Sequence, residues 1–353
     1  MLSCMYNKKI HIIITISLYG GNNMPRAITH YLFSQDCFDK LNNNEIKNII
    51  EKNMDVYIFG SQGPNFFTYY NKIPLFSTKN LSVISNLIHM QNINLFFKNM
   101  IYYSTDIHCL KQIFNNSNFE EVTISYLCGF FSHYILDKFI HPYIYSLQLK
   151  LKEEYKFKKP LSLHKSIETH IDTILLYKFK NLKPYQCKNY TNFKLNQNEL
   201  LILCDMYKFL LKNVFNKCVS SKDISKCINM FKRTENLLNS SSKIYAQPYL
   251  SIKNIICENS QIESMIYLNY KYCINDLLNT SNSLWEDPFT KTTSNKSLLD
   301  LYSESIDFYL DLIKSFDLYI KNKATMDDIL LKINNNSFFT NQHYKLSYNY
   351  KLK

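Results

Sequence analysis

The stretch Ser132-His133-Tyr134-Ile135-Leu136-Asp137-Lys138-Phe139-Ile140-His141-Pro142 decides how this chain reads. It sets His133, Asp137 and His141 four residues apart. On a helix, residues at that spacing stack on one face, one turn above the next. Two imidazoles flanking a carboxylate make a metal-binding edge. A second pair at the same spacing, His164 and Glu168, follows on another predicted helix. Taken singly, each histidine reads as an ordinary hydrogen-bonded or exposed residue. Taken together, the five point to metal, because Asp137 and Glu168 lie in apolar surroundings where an unpaired carboxylate is costly.

Working outward, the composition supports a helical setting. The chain has 353 residues, 46% hydrophobic, with 28 Tyr and 24 Phe but only 5 Gly. Few glycines and many long side chains argue against a turn-rich sandwich or a glycine-looped nucleotide fold. Helical patterning runs from His30, capped by Thr29, to about Cys37, and from Asn44 to Lys52. A shaped turn is read over Asp55 to Asn65, which holds Gly60 and Gly63 beside Pro64, and no Lys-Ser/Thr succeeds its glycines, which excludes a phosphate loop. Residues 66–80 read as loop, and 81–104 contain a helix bearing His89. The helix 121–141 is expected to stop or kink at Pro142, with His141 at its end. Residues 149–159 look solvated. Further helices are read at 161–180, 197–216, 222–239, 243–280 with a break near Pro248, and 296–321. One all-α helical-bundle domain over 24–330 is the economical reading, with 331–353 a loose polar tail.

Residues 1–23 admit two readings. Lys8 and Lys9 before an isoleucine-rich core resemble a signal segment, which implies secretion or anchoring. Alternatively the extension is a mis-called start and translation begins at Met24, implying a cytoplasmic protein. The net charge of +12 falls to +10 without this stretch, because two lysines leave. Heavy use of Lys, Asn, Ile and Tyr points to an AT-rich genome, which inflates the charge. No arginine cluster or RNA-binding aromatic signature accompanies it, so no stable nucleic-acid partner is expected. Peripheral attraction to an anionic membrane surface fits the charge equally well. Ten scattered cysteines without a CxxC pair do not form a disulfide framework, and Cys128 reads as a buried thiol.

The order of motifs resembles the catalytic helical domain of the bacterial, clostridial-type zinc-dependent phospholipase C family. The matching residues are Thr29-His30-Tyr31-Leu32-Phe33, Phe59-Gly60-Ser61-Gln62-Gly63-Pro64-Asn65, His89, His133-x3-Asp137, His141-Pro142 and His164-x3-Glu168. The resemblance implies a helical bundle with up to three Zn2+ ions, acting on a phospholipid or other phosphodiester by a metal-activated water. By analogy Asp137 bridges two metals, one also bound by His89 and His133, the other by His30. His141, His164 and Glu168 hold the third. His170 and Asp172 read either as supports behind these ligands or as plain helix-surface residues.

Three departures accompany the resemblance. Asn65 stands where the family has an aspartate that serves as ligand and general base. An amide offers a carbonyl oxygen but takes no proton near neutral pH. His141 follows Asp137 more closely than in the secreted members. The family's N-terminal tryptophan ligand has no counterpart before Trp285, leaving the amine of Pro25 as a substitute if Met24 is removed. Two alternatives to a phospholipase C therefore stand: a weak or inactive metal-binding protein of the same fold, and a nucleic-acid phosphodiesterase of the related helical three-zinc type.

Overall fold

The computed structural model describes residues 27–42, 45–70, 81–106, 118–155, 160–244, 265, 267, 273 and 276–347. The extension 1–23, Pro25 and the expected break near Pro248 lie outside the described residues. The chain order is α1 (Ala27–Lys40), α2 (Glu45–Lys52), α3 (Met54–Gly60), a 3-10 helix (Gly63–Tyr69), α4 (Ser82–Met90), α5 (Ile93–Thr105), α6 (Phe119–Tyr155) and α7 (Pro160–Lys180). After a short 3-10 turn come α8 (Gln197–Phe215), α9 (Ser221–Ile244), strands β1 (Trp285–Glu286) and β2 (Thr293–Ser294), α10 (Leu298–Ile320), α11 (Met326–Ile333) and α12 (Tyr344–Ser347). The all-α expectation holds, with a two-residue antiparallel hairpin as the sole sheet among the described residues.

α6 is the axis of the bundle. Every residue from 122 to 138 is buried, so the helix is covered all round, as an apolar helix in a large core must be. Glu120 and Glu121 in its first turn complement the helix dipole. Helices α1, α2, α3, α5, α7, α8 and α10 pack against it. Contact with α3 is the tightest. A Cβ at Gly129 would lie 2.2 Å from the Tyr57 carbonyl, and one at Gly60 2.4 Å from that of Tyr126. Glycine at both positions lets the two backbones touch.

Pro142 does not end the helix. α6 runs on to Tyr155 with the proline inside it. The ring forfeits one backbone hydrogen bond, but burial of Tyr143, Ile144 and Tyr145 beyond it outweighs that local loss. The 149–159 stretch accordingly begins as helix. Residues 81–104 form two helices, broken at Asn92, whose φ is 53°. Asn181, Asn216 and Asn334 take the same left-handed conformation just past the ends of α7, α8 and α11. Asparagine tolerates this region and here replaces the scarce glycine as helix terminator. Asp55–Gly60, expected as part of a turn, is helical, and the loop expected from 66 starts as 3-10 helix to Tyr69.

The largest departure is at the C-terminus. The stretch from 331, expected as a loose tail, completes α11 and then folds back onto the bundle. Phe338 is fully buried and Phe339 is 3% exposed. Tyr134 Oη donates to the Ile333 carbonyl at 2.9 Å. Asn94 and Asn335 each donate a backbone N–H to the other's Oδ1, at 2.9 and 2.7 Å. Among the described residues no helix is long and apolar enough to cross a membrane.

Candidate metal centre

Three helices and the end of a fourth deliver the predicted residues to one buried locus. His133, Asp137 and His141 come from successive turns of α6, His164 and Glu168 from α7, His30 from the first turn of α1, and His89 from the last turn of α4. The Asp137 carboxylate lies at the middle. Its Oδ1 is 3.3 Å from His30 Nε2, and its Oδ2 is 3.2 Å from His133 Nε2 and 3.6 Å from His89 Nε2. The rings of His30 and His133 stack at 4.2 Å. One turn on, His164 Nε2 lies 3.0 Å and His141 Nε2 3.7 Å from Glu168 Oε1. The donors therefore fall into two clusters on consecutive turns of α6. In the first, His30, His133 and Asp137 bring their ligand atoms within 4.8 Å of one another, and His141, His164 and Glu168 do so in the second.

The outward nitrogens of His89, His133, His141 and His164 explain how those four rings are aimed. His89 Nδ1 pairs with the Ser85 carbonyl at 2.6 Å, and His133 Nδ1 with the Ser61 carbonyl at 3.2 Å. His141 Nδ1 pairs with the Phe338 carbonyl at 3.1 Å, and His164 Nδ1 with Gln148 Oε1 at 2.7 Å. A carbonyl only accepts, so each Nδ1 carries the proton and each Nε2 turns a lone pair inward. Metal-ligating histidines are held in this way. Ser61 reaches His133 because of the glycine contact between α3 and α6. Gly63 continues that approach. Its φ is 53°, and a Cβ there would fall 2.1 Å from the His133 ring.

What faces inward lacks partners. His30 Nδ1 and Nε2, both Asp137 oxygens, His141 Nε2, His164 Nε2 and Glu168 Oε1 are buried and make no hydrogen bond. Each would cost roughly 1–3 kcal/mol or more if left so, and a carboxylate more still. A bound cation removes the deficit, and the donors are imidazole nitrogen and carboxylate oxygen, the set that suits zinc. The residues thus fit the metal their pattern implies.

Electrostatics agree. Burial holds His89 at about 3, His133 at about 4 and His164 at about 3, so all three are neutral imidazoles able to ligate near neutral pH. Burial opposes ionisation of Asp137, but His133, His141 and His30 around it hold its carboxyl well below the usual range. Burial pushes Glu168 up to about 8. One carboxylate is ready-ionised and the other awaits a cation.

Asn65 lies in the 3-10 helix two residues beyond Gly63. It is 8% exposed, and its Oδ1 is buried without a hydrogen bond. Its backbone carbonyl accepts from Thr68 Oγ1 at 2.7 Å. Of the two residues beyond Glu168, neither is on the surface. Asp172 is fully buried and caps the start of α1. Its Oδ1 accepts from the Thr29 N–H at 2.8 Å and from Thr29 Oγ1 at 2.5 Å, while Oδ2 accepts from the Ile28 N–H at 3.1 Å. It thereby fixes the turn that carries His30. His170 is 7% exposed, and burial lowers it to about 4.

Sequence reading missed Gln148, Ser61, Ser85 and the Ser337–Phe339 segment. Gln148 had a signal, since it lies seven residues after His141 on the same helix face. Ser61, Ser85 and Phe338 hold the imidazoles through backbone carbonyls, which carry no residue signature.

The architecture is that of a helical bundle with a histidine- and carboxylate-lined centre. Residues 29–216 match the family described as zinc dependent phospholipase C, and the chain belongs to that family. The matched span contains all eight candidate site residues. No curated protein and no solved structure matches the chain.

Proposed function

We propose that this protein is a zinc-dependent hydrolase that cleaves a phosphodiester, with a phospholipid headgroup bond as its substrate. The observation that carries the reading is the pair of donor clusters, whose inward nitrogens and carboxylate oxygens are buried and unpaired. His89, His133 and Asp137 would hold one ion, and His30 with Asp137 a second. His141, His164 and Glu168 would hold the third. The carboxylate oxygens of Asp137 face different imidazoles, which supports its role as a bridge. Zinc in such a site neutralises charge on phosphoryl oxygens and makes water nucleophilic near neutral pH.

The chain's own residues do the rest. Ser61, Ser85, Gln148 and Phe338 fix the tautomers of His133, His89, His164 and His141, so those four rings need no reorientation when the site is loaded. Asn65 Oδ1, buried and unpaired, would offer a carbonyl oxygen to a metal or to water but would take no proton.

That last point favours a second reading, in which the same centre binds metal and turns over slowly or not at all. Hydrolysis of phosphatidylcholine vesicles, with zinc content measured on the same sample, separates the two. Zinc with activity supports the enzyme. Zinc without activity on vesicles or on single-stranded nucleic acid supports a binding protein. A preparation that takes up no zinc contradicts both.

A further inference from the structure

The segment Ser337–Phe339 lies outside the family-matched residues 29–216 and yet touches both donor clusters. The Phe338 N–H donates to the His89 carbonyl at 3.1 Å, and Ser337 Oγ donates to the same oxygen at 3.3 Å. The Phe338 carbonyl accepts from His141 Nδ1 at 3.1 Å. One residue thus binds the chain at His89 through its amide and at His141 through its carbonyl. The side chains repeat the pattern. Phe338 sets its ring edge-to-face against His89 at 4.7 Å. Phe339 stacks parallel on His89 at 5.1 Å and stands edge-on to His141 at 5.2 Å.

This bracket is anchored independently of the site. Asn335 pairs with Asn94 at the start of α5, and Tyr134 Oη donates to the Ile333 and Asn336 carbonyls at 2.9 and 3.3 Å. Asn335 and Asn336 immediately precede the bracket, so its position is fixed before it reaches the histidines. If it left, the buried His141 Nδ1–H would lose its acceptor and the ring could turn its lone pair away from Glu168.

We infer that Ser337–Phe339 are positioning residues for the metal centre, and that zinc binding and docking of this C-terminal strap are thermodynamically coupled. The inference rests on the zinc-binding reading of the two clusters. Coupling is reciprocal: if the docked strap raises zinc affinity, zinc must stabilise the docked strap by the same factor. The strap supplies no ligand. It acts through the orientation of His89 and His141, as outer partners of metal ligands do, where their loss costs about 10- to 100-fold in affinity.

Two measurements on the full-length chain test this. The first is chelator competition for zinc in the wild type, in Phe339→Ala and in Phe339→Tyr. Phe339→Ala is expected to weaken zinc binding about tenfold, and Phe339→Tyr, which keeps the stacked ring, to restore it. Wild-type affinity in Phe339→Ala overturns the inference. The second uses only the wild type and so stands if the alanine variant does not fold. Amide exchange at residues 334–343 is compared with zinc bound and after chelation, with α8 as internal reference. Zinc is expected to slow exchange at Phe338 at least tenfold relative to α8, and equal exchange in the two states overturns the coupling. If the wild type takes up no zinc, the metal reading has failed. If it takes up zinc and the strap does not respond, the inference fails alone.

Discussion

The two donor clusters on α6 are built from similar residue types but in different ways. The cluster around Asp137 draws on α1, α4 and α6, so segments far apart in the chain must converge before it exists. The cluster around Glu168 draws on α6 and the next helix, α7. The Asp137 carboxyl lies well below the usual range among His133, His141 and His30, whereas burial pushes Glu168 up to about 8. The first cluster is thus prepared for a cation electrostatically, and the second acquires its charge when the cation arrives. The first should be the tighter site and the more sensitive to distant disruption, and the second the more sensitive to pH.

The comparison breaks most directly at its shared carboxylate. Asp137→Ala is expected to remove both ions of the first cluster together and to lower activity by roughly a thousandfold or more, since ligand loss removes the electrostatic stabilisation itself. Metal analysis that finds a single ion lost refutes the bridging role. Glu168→Gln should be milder, releasing one ion and leaving the Asp137 cluster loaded. Equal losses in the two variants would erase the distinction between the clusters.

Gln148→Leu removes the acceptor for His164 Nδ1 at 2.7 Å and should weaken the second cluster alone, by about 10- to 100-fold. An effect spread over both clusters would show that they act as one. Asn65→Asp tests the missing base. It is expected to raise turnover by roughly 100-fold or more with zinc content unchanged, the usual worth of general-base help. Unchanged turnover would make Asn65 part of a different mechanism.

The smallest effect is on the metal-free protein. His89, His133 and His164, held at about 3, 4 and 3, lie below the ordinary 6.5. Between about 4 and 6.5 the unfolded chain therefore binds more protons than the folded one, and stability is lost as pH falls through that window. Glu168 acts with the opposite sign. Its value of about 8 lies above the ordinary 4.5, so its contribution is full below 4.5 and is lost as pH rises toward 8. Denaturant titration of chelated protein should find greatest stability near pH 6.5, because three imidazoles outweigh one carboxyl where the windows overlap between 4.5 and 6.5 and only Glu168 acts above it. A steady rise from 6.5 to 8 would contradict the environment assigned to Glu168.

The fold class and five of the donors were legible because helical periodicity puts them on shared faces, while His30 and His89, each alone on its helix, entered only through the family resemblance. His133, Asp137 and His141 lie on one helix, and His164 and Glu168 on another. What stayed hidden has physical causes. Pro142 read as a stop because local propensity favours one, but burial of the residues beyond it carries α6 onward. The stretch from 331 read as a loose tail because it is polar on average, yet Phe338 and Phe339 sit within it and bury against His89 and His141. The tautomer-fixing partners Ser61, Ser85 and Phe338 act through carbonyls that every residue has, so their identities carry no signal. Asn65 was legible as a departure, and its Oδ1 is buried without a hydrogen bond.

The central claim is that the two buried clusters hold zinc. Metal stoichiometry of the purified, extensively dialysed full-length protein tests it most directly. Between about two and three zinc ions per chain are expected, with at least one in each cluster. Fewer than about one zinc per chain, in protein shown by circular dichroism to be folded, would contradict the account.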